Sequence, residues 1–126
     1  MKPADYMNAV MRTENSEIKQ DIDSRITHGI MGIASEGGEL LDTLKASMFY
    51  GKKLDEVNIK EELGDLMWFT AITLKAMGSS FEEIMDININ KLKKRYPDGF
   101  SEHDALNRDL KGERVILEDQ SFKVIH

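Results

Sequence analysis

Residues 59–77 read IKEELGDLMWFTAITLKAM, and this stretch determines the fold class predicted for the chain. At about 100° per residue, many of its side chains fall on one helical face and form an apolar stripe. The stripe consists of Ile59, Leu63, Leu66, Met67, Thr70, Leu74 and Met77. Trp68, Phe69 and Ile72 lie off the stripe, so the helix is apolar on nearly every side. Because a small bundle cannot bury such a helix alone, we expect a homo-oligomer with part of this helix in the interface.

Signals for helix ends bound this central helix and predict a second long helix before it. Asp55 or Asn58 can cap the central helix, and Gly78 follows its last apolar residue. The second long helix is predicted from about Ser24 to Phe49, with Gly51 as its C-terminal stop. Its apolar stripe consists of Ile26, Ile30, Ile33, Gly37, Leu40, Leu41, Leu44 and Met48.

Two further helices are predicted near the start of the chain and after the central helix. Pro3 suits the first turn of a short helix, and the polar residues 13–24 either continue that helix or interrupt it. The last helix is capped by Ser79 or Ser80 and runs to Tyr96. The β-branched residues between these points never form the alternating runs that predict strands.

The helical pattern weakens after residue 99. Residues 114–118, Arg-Val-Ile-Leu-Glu, are interpreted as a short strand or an extended arm. We expect the tail, residues 102–126, either to cover a pocket or to clasp a neighbouring subunit. The prediction for the whole chain is an all-α fold, a bundle of about four helices in one domain over residues 1–126. That domain has a partly irregular C-terminal tail and is oligomeric.

Composition excludes several classes of function. The chain of 126 residues carries 17 Lys and Arg against 23 Asp and Glu, a formal net charge of −6. This balance argues against general nucleic-acid binding, which needs a basic surface. There is no cysteine, which removes disulfides, thiolate metal sites and cysteine nucleophiles. No apolar run suits a secretory signal or a bilayer crossing, so we expect no membrane association and a cytoplasmic location.

Two pairs of acidic residues stand out on the two long helices. Glu36 and Glu39 are three residues apart and so share one helical face, and Glu62 and Asp65 repeat that spacing. If the helices pack antiparallel, as their short connection favours, the four carboxylates converge. Their mutual repulsion then calls for a hard divalent cation with oxygen ligands, Mg²⁺ or Mn²⁺. The alternative is that these acids form a solvated face.

Glycines beside the acidic pairs favour a close approach of a helix or a ligand, because each costs a helix interior about 1 kcal/mol. They are Gly37, Gly38 and Gly64.

Positive charge is concentrated on the last predicted helix. Asn88, Lys91 and Arg95 fall on one face, with Lys94 beside them. Residues 91–126 hold eight basic and seven acidic side chains, whereas the first 90 residues hold nine and sixteen. A guanidinium and ammonium groups on one face suit phosphate oxygens. The alternative is an exposed basic helix end that interacts favourably with the helix dipole.

Taken together, these motifs resemble the MazG-like nucleoside triphosphate pyrophosphohydrolases over about residues 24–101. The matching residues are HGI at 28–30, SEGGELLD at 35–42, EELGDLMW at 61–68, Asn88 with Lys91, and KRYP at 94–97. The resemblance implies an all-α dimer or dimer of dimers that converts a nucleoside triphosphate to the monophosphate and pyrophosphate.

The resemblance also implies roles for particular residues. Glu36, Glu39, Glu62 and Asp65 would hold magnesium, with two or three ions per site and manganese able to substitute. Lys91 and Arg95 would meet substrate phosphates, and Asn88 and Lys94 would lie near them.

One position departs from the family pattern, which often begins with paired glutamates. The first position of that pair is Ser35 in this chain, so the general base stays open among Glu36, Glu39 and Glu61. Two other functions remain as alternatives. One is the related phosphoribosyl-ATP pyrophosphohydrolase reaction, and the other is a non-catalytic helical oligomerisation module.

Overall fold

The computed structural model describes residues 1–14 and 22–119 and confirms the all-α prediction, because those residues form helices and no strand. The helices are α1 (Pro3–Met11), α2 (Ile22–Tyr50), α3 (Glu56–Ala76), α4 (Phe81–Arg95), α5 (Glu102–Leu106) and α6 (Leu110–Glu118). The chain divides into two compact units, residues 1–79 and 80–126. Most of the polar stretch at 13–24, whose conformation the sequence leaves open, lies outside the described residues.

The predicted start and stop signals fix the ends of the long helices. The Asp55 side chain caps α3 by accepting a hydrogen bond from the backbone N–H of Asn58 at 3.0 Å. Ser80 caps α4 in the same way, through the N–H of Glu83 at 3.2 Å. Gly51 adopts a φ of +64° directly after α2, a left-handed conformation that favours glycine and ends the helix.

Helices α2 and α3 pack against each other in antiparallel orientation within the first unit. Contacts between them run in opposite order along the two helices. Near the start of α2, Gly29 lies on Thr73 and Gly32 lies on Phe69. Further along α2, Thr43 contacts Asn58 near the start of α3. Gly29 and Gly32 are buried, and a methyl group at Gly32 would come within 2.1 Å of the Phe69 ring. These two glycines allow the helices to approach closely.

No helix among the described residues of this chain approaches Gly37, Gly38 or Gly64, and an approach by a helix of a second copy stays a prediction. A methyl group at any of the three would meet no atom within 4 Å, because the close contact between the helices lies one to two turns earlier on α2, at Gly29 and Gly32. That a ligand approaches these glycines stays a prediction.

The apolar stripe predicted for α2 lies on a different face from the one that packs on α3. By helical period, Ile30, Leu41 and Met48 share a face that is rotated by nearly half a turn from Gly32. Leu41 and Met48 are accordingly 66% and 67% exposed. The α3 stripe is also only partly buried, since Leu74 lies in the core but Met77 is 61% exposed.

Residues of α3 that lie outside its predicted apolar stripe form part of the core. Ile72 is 1% exposed and Ala71 is fully buried. The reason is that α3 contacts both α2 and α1, so its buried surface is wider than one stripe. The N-terminal helix contributes the buried Val10, and the indole N–H of Trp68 donates to the Thr13 hydroxyl at 2.6 Å.

The second unit contains α6, where the prediction of a strand or extended arm for residues 114–118 is wrong. The Asp109 side chain caps this helix by accepting from the N–H of Gly112 at 3.0 Å. Helix α6 packs on α4 through Glu113, which is 3% exposed and accepts hydrogen bonds from Arg95 and Arg108. The helical form of residues 114–118 thus goes with a side-chain cap at Asp109 and a buried ion-pair cluster at Glu113.

No helix within the described ranges combines the length and apolar character that crossing a bilayer requires.

Candidate functional site

Three of the acidic side chains singled out by their spacing meet between α2 and α3. One carboxylate oxygen each from Glu36, Glu62 and Asp65 lies within 4.8 Å of the other two. Glu36 projects from α2, whereas Glu62 and Asp65 share one face of α3. Glu62 is buried, Glu36 is half-buried and Asp65 is exposed, so the cluster opens to solvent on the side of Asp65.

The carboxylates of this cluster repel one another in the absence of a cation. Hydrogen bonding between Glu36 and Glu62 raises the pKa of Glu36 to about 7, with further contributions from desolvation and from the charges of Glu62, Asp65 and Glu39. Near neutral pH the cluster therefore retains a proton that an isolated glutamate would lose. A bound cation would relieve the same repulsion.

The two remaining carboxylates predicted for the site, Glu39 and Glu61, lie outside the group of three. Glu39 is exposed and stays outside the group of three, although its charge helps to raise the pKa of Glu36. Glu61 is exposed on the surface of α3, and it is rotated by about 100° from its neighbour Glu62. The structure thus brings together Glu36, Glu62 and Asp65 from the predicted set.

Two polar residues at the site went unnoticed as site residues in the sequence. The Thr43 hydroxyl on α2 donates a hydrogen bond to Oδ1 of Asn58 on α3. The Asn58 side chain in turn donates from Nδ2 to Oε1 of Glu62, at 3.1 Å. The sequence indicates Asn58 only as a helix cap, and the signal for its second role is its position four residues before Glu62.

The residues predicted to bind phosphate lie on α4 in the second unit. Asn88 and Lys94 are exposed and Lys91 is half-buried. The ammonium group of Lys94 lies 3.6 Å from Asp109, a contact between two solvent-exposed groups. All four residues, including Arg95, therefore belong to one helix, as predicted.

Arg95 differs from the other three because its guanidinium group is held by a buried carboxylate. Nε and Nη2 of Arg95 donate to the two oxygens of Glu113 at 2.9 and 3.0 Å. This contact raises the pKa of Arg95 and keeps the group charged. Two of the five N–H groups of Arg95 are thereby engaged, and the guanidinium group also interacts with the side chain of Tyr96.

The donor set of the acidic cluster suits a hard divalent cation. Oxygen ligands bind Mg²⁺ and Ca²⁺ at about 2.0–2.6 Å, so one ion can be shared by oxygens up to about 5 Å apart. The described residues thus form an all-helical protein with a carboxylate cluster that can hold a metal ion.

A family model, the MazG nucleotide pyrophosphohydrolase domain, matches residues 26–100. This match spans more than half of the chain, and the protein belongs to the MazG nucleotide pyrophosphohydrolase family. Searches of curated proteins and of solved structures gave no match.

Proposed function

We propose that this protein is a metal-dependent nucleoside triphosphate diphosphatase. It hydrolyses a nucleoside or deoxynucleoside triphosphate to the monophosphate and pyrophosphate. The observation that carries this proposal is the convergence of Glu36, Glu62 and Asp65 in a chain of the MazG family.

The proposed metal ligands are Glu36, Glu62 and Asp65, with Glu39 joining them from the next turn of α2. The preferred ion is Mg²⁺, for which Mn²⁺ can substitute, with two or three ions per site. When bound, such ions offset the charge of the triphosphate, orient a water molecule and stabilise the leaving pyrophosphate. Because the pKa of Glu36 is raised to about 7, metal binding by this carboxylate would compete with its protonation near neutral pH.

Residues on α4 are proposed to bind the phosphates of the substrate. Lys91 and Lys94 supply ammonium groups, and Asn88 supplies an amide from the same helix. Arg95 contributes the N–H groups that Glu113 leaves available. Positive charge placed here stabilises the negative charge that develops on the phosphates during hydrolysis.

A carboxylate of the site accepts the proton of the attacking water. Glu36, Glu39 and Glu61 are the three candidates. Glu61 is not a proposed metal ligand, so Glu61→Gln should lower kcat and leave metal binding unchanged if Glu61 is the general base. Glu36→Gln and Glu39→Gln should weaken metal binding whether or not the replaced residue also accepts the proton.

The proposal is tested by measuring pyrophosphate release from a panel of ribo- and deoxyribonucleoside triphosphates, with and without Mg²⁺ or Mn²⁺. We expect metal-dependent release from at least one nucleotide, and Glu62→Gln is expected to abolish it. Glu56→Gln is the matched control, because Glu56 is an exposed glutamate on the same helix. Turnover by Glu62→Gln at the wild-type rate would remove Glu62 from the site.

The same panel separates the proposal from its alternatives. Phosphoribosyl-ATP is included as a substrate, and its exclusive turnover would replace the proposed activity with that of a phosphoribosyl-ATP pyrophosphohydrolase. No release from any nucleotide in the presence of Mn²⁺ would favour a non-catalytic oligomerisation module.

Self-association and a cytoplasmic location are further parts of the proposal. Exposed Ile30, Leu41, Leu44 and Met48 on α2, with Leu63 and Met67 on α3, support a homodimer or homotetramer. The absence of cysteine supports a reducing compartment.

A further inference from the structure

A continuous chain of side-chain hydrogen bonds connects α2 to the buried carboxylate of the acidic cluster. It begins at the Thr43 hydroxyl, passes through the amide group of Asn58 and ends on Oε1 of Glu62. Glu62 is only 8% exposed, so its carboxylate depends on protein groups for hydrogen bonds that water would otherwise supply.

The direction of these hydrogen bonds fixes the orientation of the Asn58 amide group. Because the Thr43 hydroxyl donates to Oδ1, the NH₂ group of Asn58 must point to the other side, toward Glu62. Asn58 thus offers a donor to one oxygen of Glu62 and restricts the rotation of that side chain. The second oxygen of the carboxylate is left for other partners.

Thr43 and Asn58 also join the two helices that carry the acidic cluster. Glu36 lies two turns before Thr43 on α2, and Glu62 lies one turn after Asn58 on α3. The hydrogen bond between Thr43 and Asn58 therefore holds the two helices in the register that brings Glu36 to Glu62.

We propose that Asn58 and Thr43 are positioning residues for the metal site, with Asn58 orienting Glu62 and Thr43 orienting Asn58. This inference rests on the proposed function, since it assumes that Glu62 binds a metal ion. Groups that hydrogen-bond to metal ligands typically change metal affinity or activity by about 10–100-fold when they are removed.

The test is direct Mn²⁺ binding to the full chain, followed by the electron paramagnetic resonance signal of the free ion. Thr43→Val removes the hydroxyl while keeping the shape, and Thr43→Ser is its matched control because it keeps the hydroxyl. Asn58→Leu removes both side-chain hydrogen bonds but leaves the backbone N–H that Asp55 caps. Thermal unfolding of each variant is measured in parallel without metal.

We expect Asn58→Leu to weaken Mn²⁺ binding by about 10–100-fold, and Thr43→Val by a smaller factor in the same direction. Thr43→Ser should bind as the wild type does. If Thr43 and Asn58 only stabilise the fold, their variants should have a lower unfolding temperature, but Mn²⁺ affinity should not fall in this order. Thr43→Ser should then not differ from Thr43→Val in Mn²⁺ affinity.

Two different failures can be told apart with Glu62→Gln as a reference. If Glu62→Gln loses Mn²⁺ binding while Thr43→Val and Asn58→Leu keep wild-type affinity, the positioning role is overturned and the metal site stands. If the wild-type protein itself does not bind Mn²⁺, the proposed function fails, and the positioning role fails with it.

Discussion

Single residues set how closely the two long helices of the first unit approach. Gly32 of α2 has no side chain where the ring of Phe69 lies, and that ring is itself held by edge-to-face contacts with His28 and Trp68. The ring therefore has little freedom to move away from an added methyl group.

We predict that Gly32→Ala destabilises the protein by about 1–3 kcal/mol, because the new methyl group overlaps the Phe69 ring. The better helix propensity of alanine, worth about 1 kcal/mol, offsets only part of this loss. Chemical denaturation of the wild type and the variant measures the difference.

Gly64→Ala is the comparison for that experiment, because a methyl group at Gly64 meets nothing within 4 Å. At Gly64 only the higher helix propensity of alanine acts, and it should raise the free energy of unfolding by up to about 1 kcal/mol. If Gly32→Ala is as stable as Gly64→Ala, the close packing of α2 on α3 at Gly32 is contradicted. A loss of activity in Gly64→Ala despite its higher stability would indicate that a ligand approaches this glycine.

Residue spacing predicted much of the acidic cluster but not the groups that support it. Glu36, Glu62 and Asp65 could be found because carboxylates three residues apart are recognisable on a helix. The contact between Thr43 and Asn58 depends on the register of one helix against another, which a periodicity in one segment does not contain. For the same reason, the sequence pattern does not single out Gly29 and Gly32 as the packing glycines.

At the scale of elements, α6 packs on α4 around a buried cluster of charged side chains. Glu113 is buried between the guanidinium groups of Arg95 and Arg108, at 2.9 and 2.6 Å. Hydrogen bonds from Arg95 and then Arg108 lower the pKa of Glu113 to about 2. Val115, in contrast, is 67% exposed.

We predict that the docking of α6 on α4 weakens in acid. Because the pKa of Glu113 is about 2 in the folded chain and 4.5 in its ordinary state, its ion pairs stabilise the second unit fully above pH 4.5. That contribution is lost as the pH falls from 4.5 towards 2. Amide chemical shifts of α6, followed by NMR over this range, measure the effect.

Glu113→Gln should remove most of this pH dependence, because glutamine does not titrate. It should also weaken the docking at neutral pH, since two guanidinium groups lose their carboxylate partner. Shifts of α6 that stay constant in the wild type down to pH 2 would contradict the assigned role of Glu113.

The helices were predictable from the sequence to different degrees. Asp55, Ser80 and Gly51 mark helix ends by local chemistry, and the structure places them where their side chains or backbone predict. Residues 114–118 carry a short apolar run that suits a strand or a helix equally well. In the structure this run continues a helix that is capped by Asp109 and anchored through Glu113 to Arg95 and Arg108, and the contacts with these two arginines are not visible in the local pattern.

At the scale of the whole molecule, the first unit leaves an apolar face of α2 uncovered. Ile30 and Leu44 are 55% and 46% exposed, and Leu41 and Met48 are exposed by about two thirds. These four residues follow the helical period and so lie in one line. Covering the exposed part of each such side chain is worth about 1–2 kcal/mol, which favours contact with a second copy of the chain.

We predict that the protein self-associates through this face and that charged residues on it prevent association. The double variant Leu41→Glu, Met48→Glu should measure 14.4 kDa by light scattering, whereas the wild type should measure a multiple of that mass. Both side chains are exposed, so the helical signal in circular dichroism should be unchanged.

Val57→Glu is the control, because Val57 is 78% exposed on α3 and lies outside this face. The introduced glutamates repel one another only if the mutated faces of two copies meet. If the double variant associates as strongly as Val57→Glu does, the interface lies elsewhere. A wild-type mass of 14.4 kDa would refute self-association itself.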